Sequence, residues 1–547
     1  MEKKTLLAVV LILGIFWVSN EFIWKPKAEA KYAQEQINQE EVVQKEVSLP
    51  KPNEEQKVET IINNDIPIQN DLELITSLDD DNVTYIFSNK GALLTSVVLD
   101  EYYINDKETN VNLIFPEGSI YNIVFNQRSG EQIDLANIVF KPEILEDNKK
   151  IIFTYSDGTS YIKKIYQISD QLYTLDMNII VNGFESLENY QIQMEDGIPD
   201  TEEFLKMKSR DYQVTYQLNN QIEKFSLSGL KLETEVDKNG KFSNKFNLSG
   251  KIDWVAVRSK YFMQGLIPNQ LISMEKLKAF RNNGSPAVNL QVEIEKDYFE
   301  HEYQLYFGPL ITEHLEAFSN GIDNCVETGP GFLRWLSRAF LWLYIFINRF
   351  VPNWGLSVII FAIILKTALY PLTHKSFESS TKMQKINPMM KEIQAKYKSD
   401  PKKMNNELRA LYKEQGVNPM GGCLPMLLQM PILFAIYPIF RYSINLRQSH
   451  FLWLPDLSEP DPFFILPIIM AIFMFIQQKM MAPANQNIEE MDEKQKAAVQ
   501  SQKMMMYMMP LMMLFFFKSL ASGLVLYWTV FSIIGTVQQI AIKKKFK

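Results

Sequence analysis

Lys366 is the residue of this chain whose type and setting most demand a chemical role. It stands in WGLSVIIFAIILKTALYPL, residues 354–372, a run with no other charge. The run places it near the centre of a membrane-spanning helix, where an ammonium costs ~2.5 to 3.5 kcal/mol on insertion scales, so it requires a partner, water or an escape route. No Asp or Glu occurs in that run, or in the apolar segments 423–440, 463–481, 504–517 and 520–542 that follow it. The expected chemistry is therefore electrostatic: a cation in a wet cavity whose negative partner arrives on another molecule. Snorkelling is the plainer alternative. Lys366 lies six residues before Leu372, ~9 Å of helical rise, and its stem could carry the charge to the interface.

Other polar groups in the apolar segments could share that cavity: Gln429, Gln477, Gln478, Tyr527, Thr529, Ser532, Gln538 and Gln539. Within a bundle such groups more often hydrogen-bond between helices. Elsewhere nothing has the pattern of a catalytic site. The chain has four His and two Cys, Cys325 and Cys423, and no HExxH, phosphate-cradling Gly-rich loop or GxSxG elbow. No metal, cofactor or small-molecule substrate is expected, and the carboxylates of the first half read as solvated surface.

The elements that must position these residues follow from charge and periodicity. The 547 residues are 46% hydrophobic and 22% charged, but the average conceals a division. Before Gly331 there are 31 Lys+Arg against 52 Asp+Glu, and from there on 25 against 12, with 19 of the 25 methionines in the second part. Residues 1–24, with Lys3 and Lys4 ahead of about twenty mostly apolar residues, are long enough to cross ~30 Å of hydrocarbon. Their flank lacks a cleavage site directly after the apolar core, which favours an uncleaved transmembrane anchor. Residues 25–60, rich in Gln, Glu and Lys, form a disordered linker. From 61 to 325, alternating runs such as NVTYIF, KIIFTYS and YTLDMNIIV, broken by Gly-containing turns, predict an extracytoplasmic all-β sandwich or barrel that turns helical after Pro309.

Residues 326–353 include FLRWLSRAFLWLYIFINRF, whose arginines suit an interfacial amphipathic helix better than a span. Residues 354–547 then carry the five apolar segments, giving a multi-pass α-helical membrane bundle. The 374–417 connection has ten Lys/Arg, whereas the 442–462 loop has Arg447 alone. With Lys3 and Lys4 inside, six spans place both termini and residues 374–417 in the cytoplasm, and residues 25–353 outside. The segment 374–417 is expected to be a helical hairpin, with a stop at Ser399, Asp400 as N-cap, Pro401 at the first helical position and Gly416 as terminator. Its charge suits acidic headgroups, ribosomal RNA or nascent chains. The fourteen residues between Lys503 and Lys518 make only ~21 Å of helix. Either the bilayer thins there or the helix continues past its lysines.

NPMGGCLPMLLQMPIL (418–433), WGLSVII…LYPLT (354–373), DPFFILPIIM (461–470) and SGLVLYW (522–528) resemble the YidC/Oxa/Alb family of membrane protein insertases. The N-terminal anchor and large outer domain are similar to the Gram-negative form, to which FSNKGALLTSVVL (87–99) and LYFGPL (305–310) also correspond. The resemblance implies a β-supersandwich outer domain, a five-helix insertase core and residence in the inner membrane. It implies insertion and folding of nascent membrane proteins through a hydrophilic groove open to the lipid bilayer, alone or with the Sec translocon and the ribosome. Lys366 takes the position of the groove cation, usually Arg; Lys keeps the charge and loses the bidentate fork. Gln429, Tyr527, Trp528, Thr529, Ser532 and Gln538 complete the implied groove. A secondary transporter would be expected to carry intramembrane carboxylates, and a tethered sugar-binding or mutarotase-like protein would leave the later spans without a purpose.

Overall fold

The computed structural model describes residues 73–545, apart from 146–147, 185, 231–246, 270–271, 273, 398, 418–423 and 482–492. The anchor at 1–24 and the linker at 25–60 lie outside the described residues. Strands run from Ile75 to Pro309 in three antiparallel sheets of four, nine and six strands. The centre of the nine-stranded sheet shows why the sequence takes this form. Thr174–Asn182 pairs on one side with Tyr161–Ile168 and on the other with Phe299–Pro309. Its alternate residues Leu175, Met177, Ile179 and Val181 all point into the core. All three sheets contribute to one apolar core, rich in Tyr and Phe.

Lys164 breaks the alternation of that sheet without leaving a polar group unpaired. Its buried ammonium donates to the carbonyls of Gly91 at 3.2 Å, Ala92 at 2.8 Å and Tyr121 at 3.1 Å. Ala92 and Tyr121 have φ of 48° and 61°, so the lysine ties down two strained turns of the outer domain.

Short helices α1 (Lys208–Asp211) and α2 (Thr312–Glu316) interrupt and end the β domain. Then follow α3 (Arg334–Phe350), α4 (Trp354–Ala368), α5 (Tyr370–Lys396), α6 (Pro401–Glu414), α7 (Leu424–Tyr442), α8 (Ile465–Met481), α9 (Glu493–Phe517) and α10 (Ser522–Lys545). α3 buries Ser337, Tyr344 and Ile347 and exposes Trp335, Trp342, Phe346 and Phe350, with Trp342 stacked on Phe346 at 5.3 Å. That aromatic face fits an interfacial helix. α5 and α6 form the expected hairpin. Asp400 accepts from Lys403 N at 3.0 Å, Pro401 opens α6, and Gly416 follows its end with φ of 58°. α9 passes through Lys503 as one 25-residue helix, so the short apolar run is part of a longer element.

Two sequence expectations meet a different local structure. Lys366 is in the last turn of α4, which ends at Ala368 and bends by 64° into α5, rather than near the middle of a helix reaching Leu372. A cation there is favoured by the helix dipole. Among the described residues only Ser522–Lys544 is by itself long and apolar enough to span, with the bent α4–α5 pair a second if taken as one.

The outer domain is fastened to the helices by buried charge. Arg441 at the end of α7 donates to Asp211 Oδ2 at 2.6 Å, and the Tyr442 hydroxyl donates to Asp211 Oδ1 at 3.2 Å. In the loop after α7, Arg447 donates to Glu202 Oε1 at 2.8 Å and to Thr201 O at 3.1 Å. Ile444 enters the β-domain core itself. The carboxylates of Asp211 and Glu202 are buried, which corrects the reading of the outer carboxylates as solvated surface at these two positions. A buried acid is tolerated because an arginine meets it.

Candidate groove between the helices

α4 starts where Asn353 caps it by accepting from Leu356 N at 2.9 Å. The ring of Phe451, from the loop between α7 and α8, occupies the space a Cβ at Gly355 would need. This contact fixes the N-terminal end of α4, while its other end carries Lys366.

The Lys366 side chain is 3% exposed, and its ammonium has no ion pair or hydrogen bond among the described residues. The closest polarisable partner is Phe531, whose ring centroid is 3.8 Å from Nζ. A Cβ built on Gly535 would lie 3.0 Å from Lys366 Nζ and 2.7 Å from Gln477 Nε2. α4, α8 and α10 thus converge on one cation through Lys366, Gln477, Phe531 and Gly535. Tyr527, Phe531 and Gly535 are spaced by four on α10 and share its inward face.

The same face continues toward α7. The rings of Phe361 and Phe440 lie 6.0 Å and 5.8 Å from Tyr527, which is 5.7 Å from Phe531. The Tyr527 hydroxyl and the Gln429 amide nitrogen are buried close to one another without a hydrogen-bond partner of good geometry. Gln538 and Gln539 also hold buried, unpaired amide oxygens. Unpaired buried polar atoms are rare, and a row of them along a helix face marks a place that water or a polar ligand can satisfy.

The structure separates the remaining sequence candidates from that row. Thr529 bonds Val525 O at 2.7 Å and reaches Leu466 O at 3.3 Å, so its hydroxyl joins α10 to α8. Ser532 is buried, and its carbonyl accepts from Thr536, whose hydroxyl also reaches Phe473 O of α8 at 3.4 Å. Trp528 packs on Phe517 of α9 at 5.5 Å. Sequence reasoning missed Phe531 and Gly535. The four-residue spacing from Tyr527 was the available signal, and a phenylalanine in an apolar run gave no reason to use it.

In the outer domain, His301 Nδ1 and the Tyr303 hydroxyl meet the Tyr190 hydroxyl at 2.7 Å and 2.5 Å. Burial pushes the imidazole down to about 4. The cluster packs on Phe299. Among the described residues no group of His, Cys, Asp and Glu could hold a metal.

The family model described as YidC periplasmic domain matches residues 76–343, and that described as 60Kd inner membrane protein matches residues 346–547. The membrane protein insertase YidC of Chlorobaculum parvum is 32% identical over 85% of this chain and 82% of its own length. That of Chloroherpeton thalassium is 31% identical over 100% of this chain and 96% of its own length. A crystal structure of an active YidC insertase with its first transmembrane domain resolved is 18% identical over 85% of this chain and 94% of that one, with a TM-score of 0.34. The transporter and sugar-enzyme readings find no support among these relatives. The chain belongs to the YidC family of membrane protein insertases, inner-membrane proteins with a periplasmic domain, and it is an insertase rather than an enzyme.

Proposed function

We propose that insertion runs through a hydrated groove bounded by α4, α7, α8 and α10, in which Lys366 attracts acidic residues of the leading substrate segment while the apolar part slides into lipid. One observation carries the reading: Lys366 is buried and has no counter-ion among the described residues. In surroundings of lower effective dielectric, an approaching carboxylate feels that charge more strongly than in water. The unpaired amide oxygens of Gln538 and Gln539, together with the buried polar ends of Gln429 and Tyr527 that lie close to one another, support a wet path along α10. Thr529 and Trp528 act as the wall, holding α10 against α8 and α9, and Ser532 is buried one turn before Thr536, which makes a further bond to α8.

The same reading has six spans, both termini in the cytoplasm, and residues 25–353 in the periplasm. Cytoplasmic α5 and α6 carry the basic hairpin, suited to ribosomes and emerging chains, and insertion proceeds alone or beside the Sec translocon. Photocrosslinking from position 366 to stalled nascent membrane proteins tests the groove. Adducts that depend on an inserting segment are expected, and their absence at 366 with adducts at exposed positions of α4 would refute it.

A further inference from the structure

Phe531 meets the groove cation from the face of its ring, and this contact adds something to the reading of Lys366 that the lysine alone does not. A buried ammonium must be stabilised, yet a carboxylate partner would cancel the charge that the groove needs. An aromatic face resolves the conflict. Its quadrupole attracts a cation without contributing a formal charge, and the attraction is largest where water is excluded. The Nζ to centroid distance of 3.8 Å is close to van der Waals contact, so the ring and the ammonium are seated on one another.

The surroundings of the ring fix it for that purpose. Phe531 is itself buried and packs on Tyr527, which is held in turn by Phe361 of α4 and Phe440 of α7. One turn further along α10, Gly535 leaves the space the ammonium needs. Any side chain there would press on both Lys366 Nζ and Gln477 Nε2.

We propose that Phe531 is a positioning residue for insertion: its ring, over the gap left by Gly535, holds the Lys366 ammonium in the groove, stabilised but not neutralised, until a substrate carboxylate reaches it. This rests on the reading of Lys366 as the attracting charge. Phe531 touches no substrate in this role and acts through the lysine. Without the ring, the ammonium has no partner in the groove and its flexible stem lets it swing out toward the interface.

The test is insertion into vesicles containing the full chain, using two single-span substrates that differ only in Asp or Asn at two positions of the translocated tail. The readout is the ratio of acidic-tail to neutral-tail insertion at matched protein abundance. Phe531→Leu should lower that ratio about five- to thirtyfold, the range between an exposed and a desolvated cation–aromatic contact. Phe531→Tyr should restore it, and Gly535→Ala should lower it by displacing the ammonium from the ring. In a Lys366→Ala background Phe531→Leu should change nothing further. If Lys366→Ala lowers the ratio while Phe531→Leu leaves it unchanged, or if Phe531→Leu acts equally with and without the lysine, the positioning role is overturned and the role of Lys366 stands. If Lys366→Ala leaves the ratio unchanged, both fall.

Discussion

Arg441 in the last turn of α7 and Asp211 at the end of α1 form an ion pair of 2.6 Å in which both side chains are buried. It links a helix that borders the groove to a domain built almost wholly of strands. Removing one partner of such a pair strands the other charge, at a cost of about 3–5 kcal/mol. Asp211→Ala should therefore lower the thermal unfolding midpoint of the detergent-solubilised chain. Asp211→Leu combined with Arg441→Met should recover most of the loss, because no charge is then left unpaired. A single variant as stable as wild type would show that the junction is solvated.

Glu459 gives that junction a pH dependence. Burial, with Asp456, Glu202 and Glu203 nearby, pushes its carboxyl up to about 7 from 4.5, against the opposing pull of Lys260. The folded chain thus holds a proton between those values that the unfolded chain has released. The contribution to stability is present below about 4.5 and is lost as the pH rises through 7. Glu459→Gln should match wild type at pH ~4 and exceed it in thermal stability at pH ~8, with the gap opening between about 4.5 and 7. A constant difference at both pH values would remove Glu459 as the cause.

The six-span topology predicts opposite accessibility for the hairpin and the 442–462 loop. Ser458 is buried and would report folding rather than sidedness, whereas Leu452 in the same loop is 63% exposed. With an impermeant thiol reagent on intact cells, Leu452→Cys should label and Ser399→Cys should label only after permeabilisation. The reverse pattern would invert the bundle.

Removal of residues 61 to about 300 should leave core insertion largely intact, because the groove residues all follow residue 353 and the described residues of the outer domain show no acid–base constellation. The deletion takes Asp211 and Glu202 with it, so Arg441 and Arg447 become solvated instead of being left buried and unpaired. Complementation of a depleted strain by the truncated chain checks this. Complete loss of insertion at normal abundance would assign the outer domain an essential part.

The elements were legible where local pattern decides them. Alternation in YTLDMNIIV gave the strand Thr174–Asn182, and Asp400-Pro401 with Gly416 gave both ends of α6. Lys366 was legible as an unmatched charge, though its place in the last turn of α4 was not, because the bend after Ala368 falls in a run without a helix breaker until Pro371. The ring of Phe531 and the pairs Asp211–Arg441 and Glu202–Arg447 were hidden for a different reason. Each depends on residues more than 150 positions apart. Nothing in the local sequence of an isolated aspartate states that an arginine will be folded onto it.

The most direct measurement is insertion of substrates differing only in tail charge by wild type, Lys366→Arg, Lys366→Ala and Lys366→Glu. The charge-preserving arginine should insert every substrate, alanine should fail most on acidic tails, and glutamate should be worse still because repulsion replaces attraction. Equal efficiency of wild type and Lys366→Ala on every tail would contradict the account, leaving hydration and packing of the groove without a required charge.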